Sequence, residues 1–246
     1  MRRLTLIAAI ACCSMLSAQN NPGRVQEQGG PVNPVFDKYT QPDVSFDVYF
    51  TTAGSKAAAP DEKGFIRRWA LLEPIAKPEI RSNTIFTDSY LKEELNKEYF
   101  ENQFTVVPKD GDQAVLSNNT TLKWHWVDSK RFNVKLYRFA SGLKLRPTEA
   151  LFLAVTVINA PKDMTVRLSA GSNSASMWWV NGSQVLLLSG DRRMVADDGV
   201  SKAITLKKGR NIVRGAIING PGMSDFCVRF LDMDGKPVTN LKVSNK

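Results

Sequence analysis

The feature that most constrains the fold is a long series of short apolar runs, each cut off by turn residues. From residue 104 onward they fall at 122–127, 136–139, 151–158, 164–170, 176–180, 184–188, 203–206, 212–218 and 225–231. Each is short for a helix, and most are rich in β-branched and aromatic residues, which suit a pleated, half-buried surface. Between two of the runs stands Asn181-Gly182. A two-residue hairpin loop needs positive φ at its central positions, which Asn and Gly tolerate, so residues 176–188 are expected to form a tight hairpin. Lys208-Gly209 and Asp234-Gly235 mark further turns. Many short strands at such spacing predict a sandwich or jelly roll rather than βαβ units. Residues 65–73 add a strand, stopped by Pro74, which has no N–H for a ladder.

One helix is expected, over residues 88–100. Leu91, Leu95 and Tyr99 recur at helical spacing, and Asp88 or Ser89 is placed to cap the free amides. Residues 19–63 are rich in Gly, Pro, Asn and Gln and read as a linker or extended segment; the alternation at 44–50 suits one edge strand. The expected class is therefore mainly β: a jelly-roll β-sandwich with one short helix and an extended N-terminal segment.

Arg2 and Arg3, the apolar run 4–11, and the small residues Ser17 and Ala18 have the order of a secretory signal peptide. The run is too short to cross a bilayer, which takes roughly 20 apolar residues. The expected organisation is a signal peptide at 1–18, an extended segment at 19–63 and a β-sandwich domain at 64–246. Export places the protein in the periplasm or outside the cell. Ala9-Ile10-Ala11-Cys12 is a poor version of a lipid-attachment motif, which leaves a lipid-anchored outer-membrane form open. With Cys12 and Cys13 in the leader, the mature chain keeps Cys227 alone, so neither an internal disulfide nor a cysteine metal site is expected.

Lys and Arg number 33 against 24 Asp and Glu, a formal charge of +9 that falls to +7 once Arg2 and Arg3 are removed. The positive residues are spread along the chain, in no block of five or six, which argues for a solvated surface and against a nucleic-acid partner. No second apolar run is long enough to span a membrane.

Catalytic apparatus is sparse. The single histidine, His125, lies between Trp124 and Trp126 on an expected strand, where alternation turns it away from both indoles. No Gly-x-Ser-x-Gly elbow occurs; Gly171-Ser172-Asn173-Ser174-Ala175 lacks the second glycine. Asp191, Asp197, Asp198 and Asp225 are the acids from which a glycosidase pair would be drawn, and each also reads as a turn former. Asp197-Asp198-Gly199 and Asp232-Met233-Asp234-Gly235 are incomplete calcium loops. No catalytic residue, metal ligand or cofactor is assigned, with a structural calcium ion left open at these turns. The aromatic supply is richer. Trp178 and Trp179 are adjacent on an expected strand and must face opposite ways, so one is expected in the core while the other is free for display.

Three stretches carry a resemblance. Residues 172–182, ending in Trp178-Trp179-Val180-Asn181-Gly182, resemble the strand and turn of galactose-binding-like jelly rolls, where a W-x-N-G hairpin follows a small-residue strand. Residues 206–213 with Asn219, Gly220, Pro221 and Gly222 resemble the paired strand and loop of that fold, and Trp69-Ala70-Leu71-Leu72-Glu73-Pro74-Ile75 is similar to its first strand. The likeness spans residues 64 to 240. It is also similar to accessory domains of Bacteroidetes polysaccharide-degrading proteins, among them acetylxylan esterases, though no separate α/β-hydrolase segment is present. The resemblance implies a secreted, non-catalytic carbohydrate-binding sandwich associated with polysaccharide use. Its partner would be a polysaccharide or oligosaccharide, with a partner enzyme also open. The candidate contacts are Trp178, Trp179, Arg192, Arg193, Asn219 and Asp225, at strand ends and loops where such folds bind. An acetylxylan-esterase-type hydrolase and a structural or docking subunit are the alternatives.

Overall fold

A computed structural model describes residues 45–80 and 85–245. The expected leader at 1–18, Cys12, and residues 19–44 of the extended segment lie outside the described residues. In chain order the elements are α1 (Phe46–Tyr49), β1 (Phe50–Thr52), β2 (Arg68–Leu72), β3 (Ile75–Ala76), α2 (Asp88–Leu95), β4 (Gln113–Val115) and β5 (Thr121–Ser129). Next come α3 (Leu136–Gly142), β6 (Ala150–Ala160), β7 (Met164–Ser172), β8 (Ala175–Val180) and β9 (Ser183–Leu188). The last are β10 (Gly199–Val200), β11 (Ile204–Leu206), β12 (Gly209–Asn219), β13 (Phe226–Leu231) and β14 (Lys242–Ser244). The protein is mainly β, and every strand pairing is antiparallel.

The large sheet runs β1-β5-β2-β6-β12-β8-β9, with β3 and β14 also on β6 and β4 on β5. Its spine is the pairing of β6 with β12, which keeps register from Gly209 opposite Ala160 to Asn219 opposite Ala150. The small sheet is built on β7, with β13 along one edge and β10 and β11 along the other. Alternation sends Phe152 and Ala154 of β6, Val213 and Ile217 of β12 and Trp178 of β8 to one face of the large sheet. There they meet Leu168 and Ala170 of β7 and Phe226, Val228 and Phe230 of β13, which makes the sandwich core. Each such side chain removed from water contributes roughly 1.5–3 kcal/mol before its ordering cost.

The opposite face of the large sheet is not left to solvent. Leu151, Leu153, Val155, Met177, Trp179 and Ala216 lie under Leu91 and Leu95 of α2 and under Tyr99 and Phe100 of the following loop. Burial on both faces is why residues 151–158, Thr156 apart, read as an apolar run rather than an alternating one. Three layers result: small sheet, large sheet, and a roof of α2 with residues 97–116.

The Asn181-Gly182 hairpin is present, with φ of 51° and 82° and Val180 paired to Ser183. Trp178 and Trp179 enter opposite cores, and the ladder to β9 slips one residue between them. Three details depart from the sequence expectation. Residues 136–139 are helical, in α3, because Leu136, Phe139, Ala140 and Leu143 repeat at i, i+3, i+4 and i+7. Residues 46–49 form the short turn α1, and the edge strand begins only at Phe50. Helix α2 ends at Leu95 and is capped by Thr87, whose side chain accepts from the Tyr90 amide. The sandwich also takes in chain upstream of residue 64, since β1 pairs with β5 and Ala58 bridges to Val243. Among the described residues no helix is long and apolar enough to cross a membrane.

Candidate ligand-binding cleft

Most of the expected site residues gather at one end of the sandwich. The Asn173 amide donates to the Asp225 carbonyl, and the Ser174 amide donates to the Arg192 carbonyl at 3.0 Å. Asn219 ends β12 just before the loop that leads to Asp225, and its Nδ2 donates to the Gly222 carbonyl at 2.6 Å. The structure therefore brings Arg192, Asn219 and Asp225 into one neighbourhood, but it uses them internally. Arg192 donates from Nε to Asp198 at 2.6 Å and from Nη1 to the Ser189 carbonyl at 3.0 Å. Asn219 and Asp225 are buried. Asp225 Oδ2 accepts from Asn133 Nδ2 at 2.8 Å and lies 3.4 Å from Lys135 Nζ, while Oδ1 has no partner among the described residues. Burial raises the Asp225 carboxyl to about 6 and lowers the Lys135 ammonium. Arg193 alone of this set is exposed.

The acidic turns are likewise occupied. Asp197 accepts both forks of Arg229 and the Ser169 hydroxyl, and Asp198 pairs with Arg192. Asp232 Oδ1 accepts the amides of Asp234 and Lys236, which is the work of a turn former. Among the described residues no cluster of three or more His, Cys, Asp or Glu could hold a metal ion. His125 lies 3.1 Å from Glu73 and packs edge-on against Phe139, on the face of β5 away from Trp124 and Trp126.

Neither of the adjacent indoles is a displayed platform. Trp178 is fully buried, set edge-on to Trp69 at 6.0 Å and tilted against Phe226 at 5.2 Å, with its Nε1 donating to Ser176 Oγ. Trp179 is 7% exposed, on the other face of the sheet and away from the strand-end cluster. There it lines a cleft between the large sheet and the roof, together with Gln103, Phe104, Trp124, Leu153 and Arg214. The cleft is narrow and partly open to solvent, with a cavity volume of about 20 Å³, room for roughly one water-sized group.

Sequence reasoning missed the central residue of this cleft. Arg214 sits mid-strand in β12 opposite Trp179 on β8 and Val155 on β6, so its side chain must enter the roofed face. It is 8% exposed, and Nη1 has no hydrogen-bond partner among the described residues. Burial pushes its guanidinium down to about 10, and Arg210 on the same strand face adds repulsion. The indoles divide in the same way. Trp69 donates to the Ile66 carbonyl, Trp126 to the Pro108 carbonyl and Trp178 to Ser176. Trp124 and Trp179, the two in the cleft, have no partner for Nε1 among the described residues.

The cleft wall is held in place from within. Gln103 Oε1 accepts the Tyr99 amide at 2.9 Å, and its Nε2 donates to the Lys97 carbonyl at 3.0 Å. Asp110 accepts the Trp126 amide at 2.8 Å, which ties the same loop to β5. Phe104, half-buried, stands 6.2 Å from Trp179. The result is a pre-formed recess of aromatic walls with donors to spare and no acceptor set against them. The signal available in the sequence was Arg214 itself, a charge inside the apolar run 212–218.

No family model matches the sequence, and no curated protein matches it either. Among solved structures, the chain is similar to a PA14 sugar-binding domain from an RTX adhesin, at 13% identity and a TM-score of 0.41, over 73% of this chain and 95% of that one. It is also similar to the PA14 domain of the MpAFP antifreeze protein, at 9% identity and a TM-score of 0.40, over 78% and 96%. A third likeness is to a β-glucosidase from Kluyveromyces marxianus, at 16% identity and a TM-score of 0.37, over 73% of this chain and 19% of that one. At TM-scores below 0.5 such likeness assigns neither a ligand nor a family.

Proposed function

We propose that this chain is an exported, non-catalytic carbohydrate-binding β-sandwich that serves polysaccharide use, and that it binds sugar in the Trp179 cleft. The observation that carries the reading is the pair of indole N–H groups, on Trp124 and Trp179, left without protein partners beside the half-buried ring of Phe104. A sugar offers what such a recess lacks: hydroxyl oxygens that accept hydrogen bonds, and an apolar ring face that packs on an aromatic side chain. Arg214 Nη1 is the donor of this cleft that is buried without an acceptor among the described residues, which costs stability, and a hydroxylated ligand relieves that cost. Export rests on the charged, apolar and small segments of residues 1–18, which would be removed to leave the sandwich and its upstream segment. At the strand ends, Arg193 is the residue of the expected set that remains free to meet a long polymer.

The test is affinity electrophoresis of the mature chain in gels containing plant and host glycans. Retardation by at least one glycan is expected, weakened about tenfold by Phe104→Ala, which removes an aromatic wall of the recess. Migration unchanged in every glycan would refute the proposal.

A further inference from the structure

Resting on the sugar-binding reading of the same cleft, we infer that its ligand is an acidic sugar, whose anionic oxygens are held by Arg214. Charged side chains are buried when they are paired, since taking an ion out of water without compensation is costly. Arg229 shows how this fold ordinarily meets that demand: it is as buried as Arg214, but forks onto Asp197 and donates to the Lys63 carbonyl. Arg68 does the same with Asp128 and the Lys56 carbonyl. Arg214 has neither kind of partner among the described residues, and the one charge felt nearby is the like charge of Arg210.

The position explains what such a group is for. Arg214 lines the recess beside its cross-strand neighbour Trp179, and the free space there takes roughly one water-sized group. That suits the oxygen of a carboxylate or sulfate, with the sugar ring outside it against Phe104. A guanidinium presents planar, fixed donors that match such an anion, and its burial among aromatic side chains strengthens the bond. Arg210, exposed and about 13 Å along the same strand face, adds to the positive field on this face of the strand. No carboxylate of the protein stands within ion-pair reach of Arg214 among the described residues, so the site is left to an incoming anion.

Calorimetric titration of the mature chain distinguishes the outcomes, using a neutral xylo-oligosaccharide, the same oligomer bearing glucuronic acid, and a sulfated oligomer. At least tenfold tighter binding of one acidic form over the neutral one is expected, and whichever is preferred identifies the anion. Arg214→Gln should abolish that preference, and Arg214→Lys should restore part of it. Equal affinity for neutral and acidic oligomers in the wild type, or a preference that survives Arg214→Gln, would overturn the inference and leave sugar binding standing. The wild-type comparison decides the matter even if Arg214→Gln does not fold. Binding of no oligosaccharide of any charge, with or without binding of an acidic peptide, would overturn the inference and the sugar-binding proposal together.

Discussion

Asp225 carries a pH dependence whose sign is opposite to that of an ordinary salt-bridged carboxylate. Its side chain and that of Lys135 are nearly fully buried, 3% and 4% exposed, and their closest approach is 3.4 Å. Burial dominates, so the folded carboxyl titrates at about 6 rather than at 3.8, with Lys135 and Asn133 offsetting only part of the cost. Between those two values the folded chain keeps a proton that the unfolded chain has released. Stability from this group is therefore greatest at the acid end and falls as pH rises toward and through 6. Two pH units at about 1.4 kcal/mol each set the full change at about 3 kcal/mol. Glu94, half-buried, and Glu79, exposed, are held below their ordinary range by Lys77 against the cost of desolvation, and shift stability the other way as acid is added. The Asp225 effect must therefore be read as a difference. Asp225→Asn mimics the protonated acid and keeps an oxygen for Asn133. Urea unfolding at pH 4, 5, 6 and 7.5 should show wild-type stability minus variant stability falling by about 2–3 kcal/mol from the lowest pH to the highest. Lys135, left without its counter-charge in the variant, sheds its proton more readily, which moves the difference in the same direction. A difference that stays constant across this range, or that rises, would refute the reasoning.

Gly215 faces Trp178 so closely that a Cβ would stand 2.3–2.7 Å from three ring carbons, and the ring is boxed in by Trp69 and Phe226. Gly215→Ala should cost about 2–3 kcal/mol and lower Tm by several degrees in a thermal melt, and an unchanged Tm would mean that the indole has room to move. Arg214→Met keeps the length of the side chain and removes the unpaired charge, so it should raise Tm by a few degrees in the absence of ligand. A fall in Tm would show that the guanidinium has a stabilising partner in the free protein.

What was legible in the sequence, and what was not, follows from how far apart the deciding residues lie. The 176–188 hairpin could be read because Asn181 and Gly182 meet the turn's φ requirement on their own, whatever packs around them. The strand runs could be read because alternation and turn residues are local signals. Helix α3 escaped because its period shows only over residues 136–143, and a run as short as Leu136 to Phe139 serves a strand equally well. The division of Trp178 from Trp179 was also readable, since neighbours on a strand face opposite ways. Which face was open was not: both are covered, one by β7 and β13 and the other by α2 and its loop. That covering is a tertiary fact, and it moved the candidate site. Arg192, Asn219 and Asp225 lie near strand ends, where hydrogen-bond demand in a buried corner turns them inward. The cleft is assembled from Phe104, Trp124, Trp179 and Arg214, which share no local pattern. A charge in an apolar strand has two ordinary explanations, an exposed face or a partner across the sheet. The roof removes the first for Arg214, and the described residues withhold the second. What remains is a strand position that works against the free fold, and such positions persist where the stabilising partner is the ligand.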